Sequence, residues 1–362
     1  MVQAGDSLLR GGTGRSFIAA IATAVPPFSI NQAEAGEYLL NHYAGKLSPR
    51  SLTLTRRLFS HPSIIKRHFA IEDPVSFFNE GPDSRIARFT QWSTDLSAQA
   101  ITRALENSGL SKDAVSGLVV NTCTGYICPG ISTYLIEKLG LKRNIRVYDL
   151  VGSGCGGAVP NLEVAEALLK SSSDGVIVSV SVEICSATFQ MGDDLGLLVS
   201  NALFGDGASA AVIWDRPEGL ELVASASYYA PEYRDAIRYV HKNAELYNQL
   251  ATNLPHLVKD AVAQALKGLL EPRLLKIEDI KHWALHTGGE KIINIIKSEL
   301  GLSEEQLRAT RKVLYEYGNM SSPTVWFVMN ELLNEGIEKG DWCVMVAFGA
   351  GLSAHSVLLK MS

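Results

Sequence analysis

The segment Val147–Lys170 combines an apolar run, a glycine cluster with Cys155 in its middle, and a stretch with helical periodicity. This pattern predicts a strand, a tight turn and a helix, which places the thiol at a helix N-terminus. The first amides of a helix lack intrahelical acceptors and carry partial positive charge, so they stabilise a thiolate or an oxyanion. The glycines allow close approach of substrate and backbone. The segment fits a nucleophilic Cys155, and it fits a buried structural cysteine in a turn equally well.

The same glycine cluster, Gly152–Gly157, satisfies the GxGxxG pattern of dinucleotide-binding folds. Such folds place an acidic residue about 20 positions further on, at the end of the next strand. Here Asp174 precedes the predicted strand Gly175–Val182, and Glu183 follows it. The spacing therefore disfavours a nicotinamide dehydrogenase.

A nucleophilic thiol needs a partner, and His286 stands apart among the eight histidines. It ends an apolar strand, precedes two glycines and a predicted helix, and so repeats the geometry of Cys155. Asn319 also precedes a predicted helix, where its amide can donate to the carbonyl that His286 polarises. Each residue alone is typical of a core histidine or a helix-capping asparagine. Together with Cys155 they indicate nucleophilic catalysis.

Cysteine proteases use these residue types, with the histidine about 130 to 150 residues after the cysteine. The position of His286 fits that distance. In the proteases, however, the nucleophile lies near the mature N-terminus of a secreted chain, whereas Cys155 lies mid-chain. A cysteine protease is therefore the alternative from another class.

The elements that would position these residues alternate in type. The predicted strands are Gly117–Asn121, Arg146–Val151, Gly175–Val182, Ala208–Trp214 and Trp283–His286, with two more around Gly349–Gly351. The predicted helices are Ser93–Ser108, Ile131–Leu139, Asn161–Leu169, Leu254–Leu270, Glu290–Leu300 and Ser322–Asn334. Alternation of this kind predicts a layered α/β fold. The looser repeat of the pattern suggests two similar halves, residues 1–220 and 221–362, with Ser48–Pro82 as a covering layer of loops and helices.

Composition excludes several classes of protein. The 362 residues are 46% hydrophobic and 20% charged, which predicts a globular protein with a large core. A net charge of −5 disfavours nucleic acid as a partner. Five widely spaced cysteines without a CxxC pair predict reduced thiols, no metal site and a cytoplasmic location. Met1–Phe17 lacks the features of a signal peptide, and the glycines within Trp342–Leu359 favour two strands over a membrane span.

Four motifs together resemble the type III polyketide synthases, the chalcone and stilbene synthase superfamily. They are Gly152–Gly157, Ala202–Ala208, His286–Gly289 and Tyr317–Ser322, and the resemblance extends from about Phe17 to the C-terminus. The resemblance implies a thiolase-like fold with five αβαβα layers and a homodimer. It also implies an acyltransferase that loads an acyl-CoA starter and extends it by decarboxylative condensation with malonyl-CoA, without a cofactor or metal.

The resemblance assigns roles to individual residues. Cys155, His286 and Asn319 match the catalytic triad, with Cys155 as a thiolate paired with a protonated His286, and Phe204 matches the aromatic gatekeeper. Cys128 matches a position that reaches into the partner's cavity. The other residues implied to bind substrate are Cys123, Thr124, Glu183, Thr188, Ser321, Phe348 and Gly349. A catalytically silent homologue is an alternative, which the intact triad disfavours.

Departures from the plant members concern the substrate. Pro62 replaces a lysine expected to bind CoA phosphate, which leaves Arg56, Arg57, Lys66 and Arg67 as candidate contacts. Asn248 replaces a second gatekeeper phenylalanine, Tyr239 a pocket glycine, and Ala350 a loop proline. These changes suggest a microbial member with a fatty acyl starter and an alkylpyrone or alkylresorcinol product. A small starter or malonyl-CoA alone is the alternative.

Overall fold

The computed structural model describes residues 14–172, 175–243 and 245–362. Most of Met1–Phe17, the segment predicted not to be a signal peptide, lies outside these ranges. Asp174 lies outside them as well. The strands are β1 (Phe17–Ala24), β2 (Ser29–Asn31), β3 (Lys66–His68), β4 (Val115–Asn121), β5 (Arg146–Leu150), β6 (Val176–Glu183), β7 (Gly207–Trp214), β8 (Leu220–Tyr229), β9 (Ile237–Lys242), β10 (Glu245–Leu250), β11 (His282–Leu285), β12 (Trp342–Gly349) and β13 (Ser353–Met361). The helices are α1 (Gln32–Tyr43), α2 (Pro49–Phe59), α3 (Pro74–Phe77), α4 (Pro82–Asn107), α5 (Ile131–Leu139), α6 (Ala158–Lys170), α7 (Leu195–Leu203), α8 (Leu254–Leu270), α9 (Glu290–Leu300), α10 (Arg308–Tyr317) and α11 (Thr324–Glu335).

Two sets of strands repeat one arrangement. The first set has the order β5-β4-β6-β7-β1, and the second has the order β11-β12-β13-β8. In the first set β4 and β6 are parallel and β7 is antiparallel to both neighbours; in the second set β11 and β12 are parallel and β13 is antiparallel to both neighbours. A short pairing of β1 with β8 joins the sets into one nine-stranded sheet. The topology thus contains two similar halves.

Helices cover both faces of each set of strands. Side chains of α6 and α11 share one core cluster with strands of both sets, so these helices lie between them. Helices α4 and α5 pack on the outer face of the first set, and α8 and α9 pack on the outer face of the second. All eight residues of β6 and of β7 are buried, as expected for strands covered on both sides. The result is the predicted five-layered αβαβα fold.

Most predicted elements agree with the structure to within a few residues. Helices α5, α8 and α9 have the predicted limits, and α2, β3 and α3 form the covering layer expected within Ser48–Pro82. Helix α4 is an exception, because it begins at Pro82 and not at Ser93. Its first turns are largely exposed and lack an apolar stripe, so periodicity does not reveal them. Proline at the first helical position marks the true start.

The C-terminal apolar stretch forms the antiparallel strands β12 and β13, as its glycines predicted. Within the three described ranges, no helix combines the length and apolar character needed to cross a membrane.

Candidate active site

The predicted nucleophile, Cys155, lies in a short 3-10 turn between β5 and α6. Gly154 has φ +56°, and a Cβ atom there would lie 2.9 Å from the Cβ atom of Ala350. The turn therefore requires glycine, both for its left-handed backbone and for its close packing. Cys155 is 7% exposed, and its Sγ accepts a hydrogen bond of 3.3 Å from the hydroxyl of Ser321.

Gly349 at the end of β12 lets the nucleophile turn pack directly on the second half. A Cβ atom on Gly349 would lie 3.0 Å from the backbone nitrogen of Cys155 and 2.4 Å from that of Gly156. The neighbouring Phe348 contacts the ring of His286 edge to face, with 5.0 Å between centroids. Both predicted substrate residues of this segment therefore help to position the candidate catalytic residues.

His286 directly follows β11, as its apolar strand and glycine pair predicted. Its backbone N–H donates to the carbonyl of Val346, which fixes the residue beside β12. The side chain is 1% exposed, and neither ring nitrogen has a hydrogen-bond partner among the described residues. A buried unpaired polar group is uncommon and costs about 1–3 kcal/mol. The imidazole is therefore available to bind or to exchange a proton with a substrate.

Asn319 is held in an extended bridge with the predicted gatekeeper, Phe204. The Asn319 N–H donates to the Leu203 carbonyl, and the Asn319 carbonyl accepts from the N–H of Gly205, both at 2.9 Å. The side-chain Oδ1 atom accepts from the N–H of Ser321 at 2.7 Å. This contact fixes the orientation of the amide and leaves the Nδ2 hydrogens as donors for a substrate.

Ser321 and Glu183 connect Cys155 and Asn319 with the cavity wall. The Ser321 hydroxyl lies 3.3 Å from the Cys155 sulfur and 3.5 Å from the Cys123 sulfur. Glu183 is fully buried and accepts hydrogen bonds from the backbone N–H groups of Cys123 and Thr124 and from the hydroxyl of Ser322. Burial raises the pKa of its carboxyl. Glu183 thus holds two walls of the site together and does not itself face the cavity.

The resting charges of Cys155 and His286 differ from the sequence-based expectation. Burial raises the pKa of the Cys155 thiol to about 12 and lowers the pKa of His286 to about 3. Both shifts run against the prediction of a thiolate paired with a protonated imidazole. That prediction considered the stabilisation of a thiolate by the helix N-terminus. It omitted the free energy needed to remove two charges from water. Burial therefore favours a neutral thiol and a neutral imidazole.

The four basic residues predicted to contact CoA lie in two different environments. Arg56 and Arg57 are exposed on the last turn of α2, and Lys66 is half-buried on β3. The end of α2 lies near the start of α9, where His61 Nε2 is 3.2 Å from a carboxylate oxygen of Glu290. Arg56, Arg57 and Lys66 therefore stay candidates for a phosphate contact.

Arg67 does not fit that role, because it is 2% exposed and its Nε and Nη1 atoms donate within the protein. Its Nη1 atom donates to the carbonyls of Asn201 and Phe204 at 2.8 and 2.6 Å, and its Nε atom donates to the Gln32 side chain at 2.8 Å. Gln32 in turn donates to the carbonyl of Ala202. The last carbonyls of a helix lack intrahelical donors. Arg67 and Gln32 therefore cap α7 and fix Phe204.

We expect Arg67→Met to lower the free energy of unfolding by about 2–5 kcal/mol, because it leaves two partly buried carbonyls without donors. Urea unfolding followed by circular dichroism measures this change. Arg57→Met, on the exposed surface of α2, is the matched control and should change stability by less than about 0.5 kcal/mol. Equal stability of the two variants would contradict the capping role of Arg67.

A cavity of about 830 Å³ brings several predicted substrate residues together. Its lining includes Cys123, Thr124, Thr188 and Tyr239. The Tyr239 hydroxyl lies 3.3 Å from the Thr188 hydroxyl, so the tyrosine side chain takes up volume inside this cavity. A second cavity of about 230 Å³ shares Thr188 with the first and is lined by Phe204 and Asn248.

Cys128 is exposed and is not among the described lining residues of either cavity. Its predicted contact with a partner subunit stays a prediction.

Sequence reasoning did not identify Ser322 or Gln32 as parts of the site. Ser322 follows Ser321 in the motif Tyr317–Ser322, so the neighbouring residue could have indicated that it belongs to the site. The sequence contains no such signal for Gln32, because its role depends on its contacts with Arg67 and with the end of α7.

Comparisons with known proteins identify the family. Residues 221–362 match the family model described as chalcone and stilbene synthases, C-terminal domain. Residues 35–274 match the model described as FAE1/type III polyketide synthase-like protein. The chain therefore belongs to the type III polyketide synthase family. It is a decarboxylating polyketide synthase, an enzyme of the acyltransferase type. Members use acyl-CoA and malonyl-CoA, and membership sets aside the cysteine protease hypothesis.

Solved structures agree with this assignment. The chain is similar to the C-terminal type III polyketide synthase domain of Steely1 from Dictyostelium, to PKS-I from the brown alga Ectocarpus siliculosus, and to 1,3,6,8-tetrahydroxynaphthalene synthase from Streptomyces coelicolor. Each match has 26% identity and a TM-score of 0.88, and covers 96% of this chain. It covers 98% of the algal chain and 99% of each of the other two.

Proposed function

We propose that this enzyme loads a fatty acyl-CoA starter on Cys155, extends it with malonyl-CoA and cyclises the product to an alkylpyrone or alkylresorcinol. The observation that carries the catalytic part is the buried His286, whose two ring nitrogens have no partner among the described residues. Its ring contacts Phe348, whose neighbour Gly349 packs against the Cys155 turn, and Ser321 contacts both Cys155 and Asn319. The reaction requires no metal or organic cofactor in this proposal.

Loading begins with two neutral groups. The Cys155 thiol transfers its proton to His286 as the sulfur attacks the starter's thioester carbonyl. The tetrahedral intermediate collapses by breaking the bond to the CoA sulfur, and the departing thiolate takes the proton from His286. The acyl group is then held as a thioester on Cys155. Because the proton transfer accompanies the attack of the sulfur, starter loading does not require Cys155 to be a thiolate beforehand.

Extension uses the donors that surround the malonyl thioester carbonyl. Neutral His286, through its ring N–H, and the Nδ2 group of Asn319 donate hydrogen bonds to its oxygen. Cleavage of the bond to the carboxylate releases carbon dioxide and leaves its electron pair in an enolate. The enolate carbon attacks the Cys155 thioester, forms the new carbon–carbon bond and expels the Cys155 sulfur. Phe204 provides an apolar wall that favours departure of neutral carbon dioxide.

The residues that depart from the plant pattern support an aliphatic starter. Asn248, in place of a gatekeeper phenylalanine, lines the smaller cavity beside Phe204. Tyr239 reduces the space in the larger cavity, whereas Ala350 lies in the loop packed against the Cys155 turn. The chemical argument is that a hydrocarbon chain gains free energy from each methylene removed from water.

A homodimer is also part of the proposal. Tyr126 is 74% exposed and Val151 is 61% exposed, both line the larger cavity, and Cys128, two residues after Tyr126, is also exposed. Large apolar side chains at the surface favour burial in an interface. The cytoplasmic location expected from the cysteines stays a prediction.

The starter is tested by steady-state kinetics with acyl-CoAs from acetyl to hexadecanoyl and saturating malonyl-CoA. We expect kcat/KM to rise with chain length by up to about fourfold per methylene, which corresponds to about 0.8 kcal/mol for each buried methylene. The rise should end when the chain exceeds the space available. A maximum at acetyl-CoA, or with malonyl-CoA alone, followed by a fall with each methylene would instead support a small starter.

A further inference from the structure

A second buried histidine, His355, lies behind the turn that carries Cys155. It belongs to β13, is fully buried and takes no part in the chemistry proposed above. A Cβ atom on Gly156 would lie 2.9 Å from the Cδ2 atom of His355 and 3.3 Å from its Nε2 atom. The imidazole therefore packs directly against the backbone of the residue that follows Cys155.

Both ring nitrogens of His355 have hydrogen-bond partners. The Nδ1 atom lies 2.7 Å from the hydroxyl of Ser227 on β8, and the Nε2 atom lies 3.0 Å from the hydroxyl of Ser353 on β13. The Ser353 hydroxyl in turn donates to the carbonyl of Ala350 at 3.2 Å. A chain of hydrogen bonds thus runs from β8 through the imidazole to the loop between β12 and β13.

The proton positions along this chain follow from the Ser353 hydroxyl, which has a single hydrogen. Because that hydrogen is donated to Ala350, Ser353 accepts from His355, which places the ring proton on Nε2. The Nδ1 atom then accepts from Ser227. A neutral imidazole suits this arrangement, since one of its nitrogens donates and the other accepts. Burial lowers the pKa of His355 to about 4, which keeps the ring neutral near pH 7.

Ala350, at the end of this chain, also packs against the turn that carries Cys155. A Cβ atom on Gly154 would lie 2.9 Å from the Cβ atom of Ala350 and 3.0 Å from its backbone nitrogen. The loop therefore contacts the residue before Cys155, and the imidazole of His355 contacts the residue after it. Both contacts join the second half of the fold to the first, so a shift of His355 would reach Cys155 from two sides.

We propose that His355 is a positioning residue for Cys155, which it holds in place through its contact with Gly156 and its hydrogen bond to Ser353. The inference rests on the proposed function, because it takes Cys155 as the nucleophile. A displacement of a reacting atom by about 1 Å can lower a rate about 100-fold. Decarboxylation of malonyl-CoA uses His286 and Asn319 in the proposed function and should depend little on His355.

His355→Phe removes both ring nitrogens and keeps an aromatic ring of similar volume. We expect single-turnover acylation of Cys155 by a labelled acyl-CoA to slow about 10- to 100-fold, and carbon dioxide release from malonyl-CoA to stay within about threefold of wild type. A general loss of structure would lower both rates together. His355→Gln keeps a donor at about the reach of Nε2 and should restore most of the acylation rate, whereas the shorter His355→Asn should not.

Ser353→Ala interrupts the same chain and keeps the inference testable if His355→Phe does not fold. Ser356→Ala is the matched control, because Ser356 is also fully buried on β13. Its hydroxyl lies 3.3 Å from the carbonyls of Ala226 and Ala265, on the opposite face of the strand from His355. We expect Ser353→Ala to slow acylation at least about fivefold and Ser356→Ala to leave it within about twofold of wild type.

The outcomes separate this inference from the proposed function. If wild type is acylated on Cys155 and both His355→Phe and Ser353→Ala are acylated at the wild-type rate, the inference is wrong and the proposed function stands. Equal loss of acylation and decarboxylation in the folded variants would show that His355 only maintains the fold, which also overturns the inference. A wild-type enzyme that takes no acyl group on Cys155 would overturn the proposed function and the inference with it.

Discussion

Cys155→Ala should abolish condensation, with a loss of at least about 1,000-fold, and should retain measurable decarboxylation of malonyl-CoA. The variant has no sulfur to hold the starter, so no thioester is available to the enolate. His286 and Asn319 remain, and they stabilise the enolate that decarboxylation produces. Release of labelled carbon dioxide from malonyl-CoA, measured beside product formation by mass spectrometry, separates the two activities.

Cys343→Ala is a matched control for this experiment. Cys343 is fully buried in β12, and burial raises the pKa of its thiol to about 12, as it does for Cys155. It belongs to the core cluster around α6 and α11. Condensation by Cys343→Ala should stay close to wild type. Full-length product from Cys155→Ala would show that another group is the nucleophile.

Asn319→Ala should lower the rate of malonyl-CoA decarboxylation about 100- to 1,000-fold, the usual effect of removing one donor to a developing oxyanion. Starter loading should fall less, because its main demands are the Cys155 thiol and a proton acceptor. Single-turnover acylation of the enzyme by a labelled acyl-CoA measures loading, and carbon dioxide release measures decarboxylation.

Asn319→Asp distinguishes donation from a structural role. Aspartate keeps the oxygen that accepts from the Ser321 N–H but has no side-chain N–H when ionised. Its decarboxylation rate should therefore be as low as that of the alanine variant. Equal loss of loading and decarboxylation in both variants would indicate that Asn319 mainly maintains the fold.

Local sequence patterns located the residues that carry the proposed chemistry. A strand followed by glycines and a helix occurs at both Cys155 and His286, and the structure has these elements where the pattern placed them. The reason is that turn geometry and hydrophobic periodicity are properties of a few neighbouring residues. The limits of α5, α8 and α9 were predictable for the same reason.

Properties that depend on distant partners were not predictable. The sequence made Arg67 a candidate contact for CoA phosphate, yet its acceptors at Asn201 and Phe204 lie 134 and 137 residues further along the chain. The charge states of Cys155 and His286 depend on burial by both halves, which the sequence of either turn does not contain. The division into two cavities likewise arises only when α1, α3 and α7 pack together.

The strand order places Cys155 and Phe204 in the first half of the fold and His286 and Asn319 in the second. A folding intermediate with only one ordered half would therefore contain a nucleophile without its proton acceptor, or the acceptor without a nucleophile. Such a species cannot join a starter to malonyl-CoA while it matures. Catalytic turnover is consequently a direct report on the assembled tertiary structure, and recovery of activity during refolding follows the docking of the two halves rather than the formation of either.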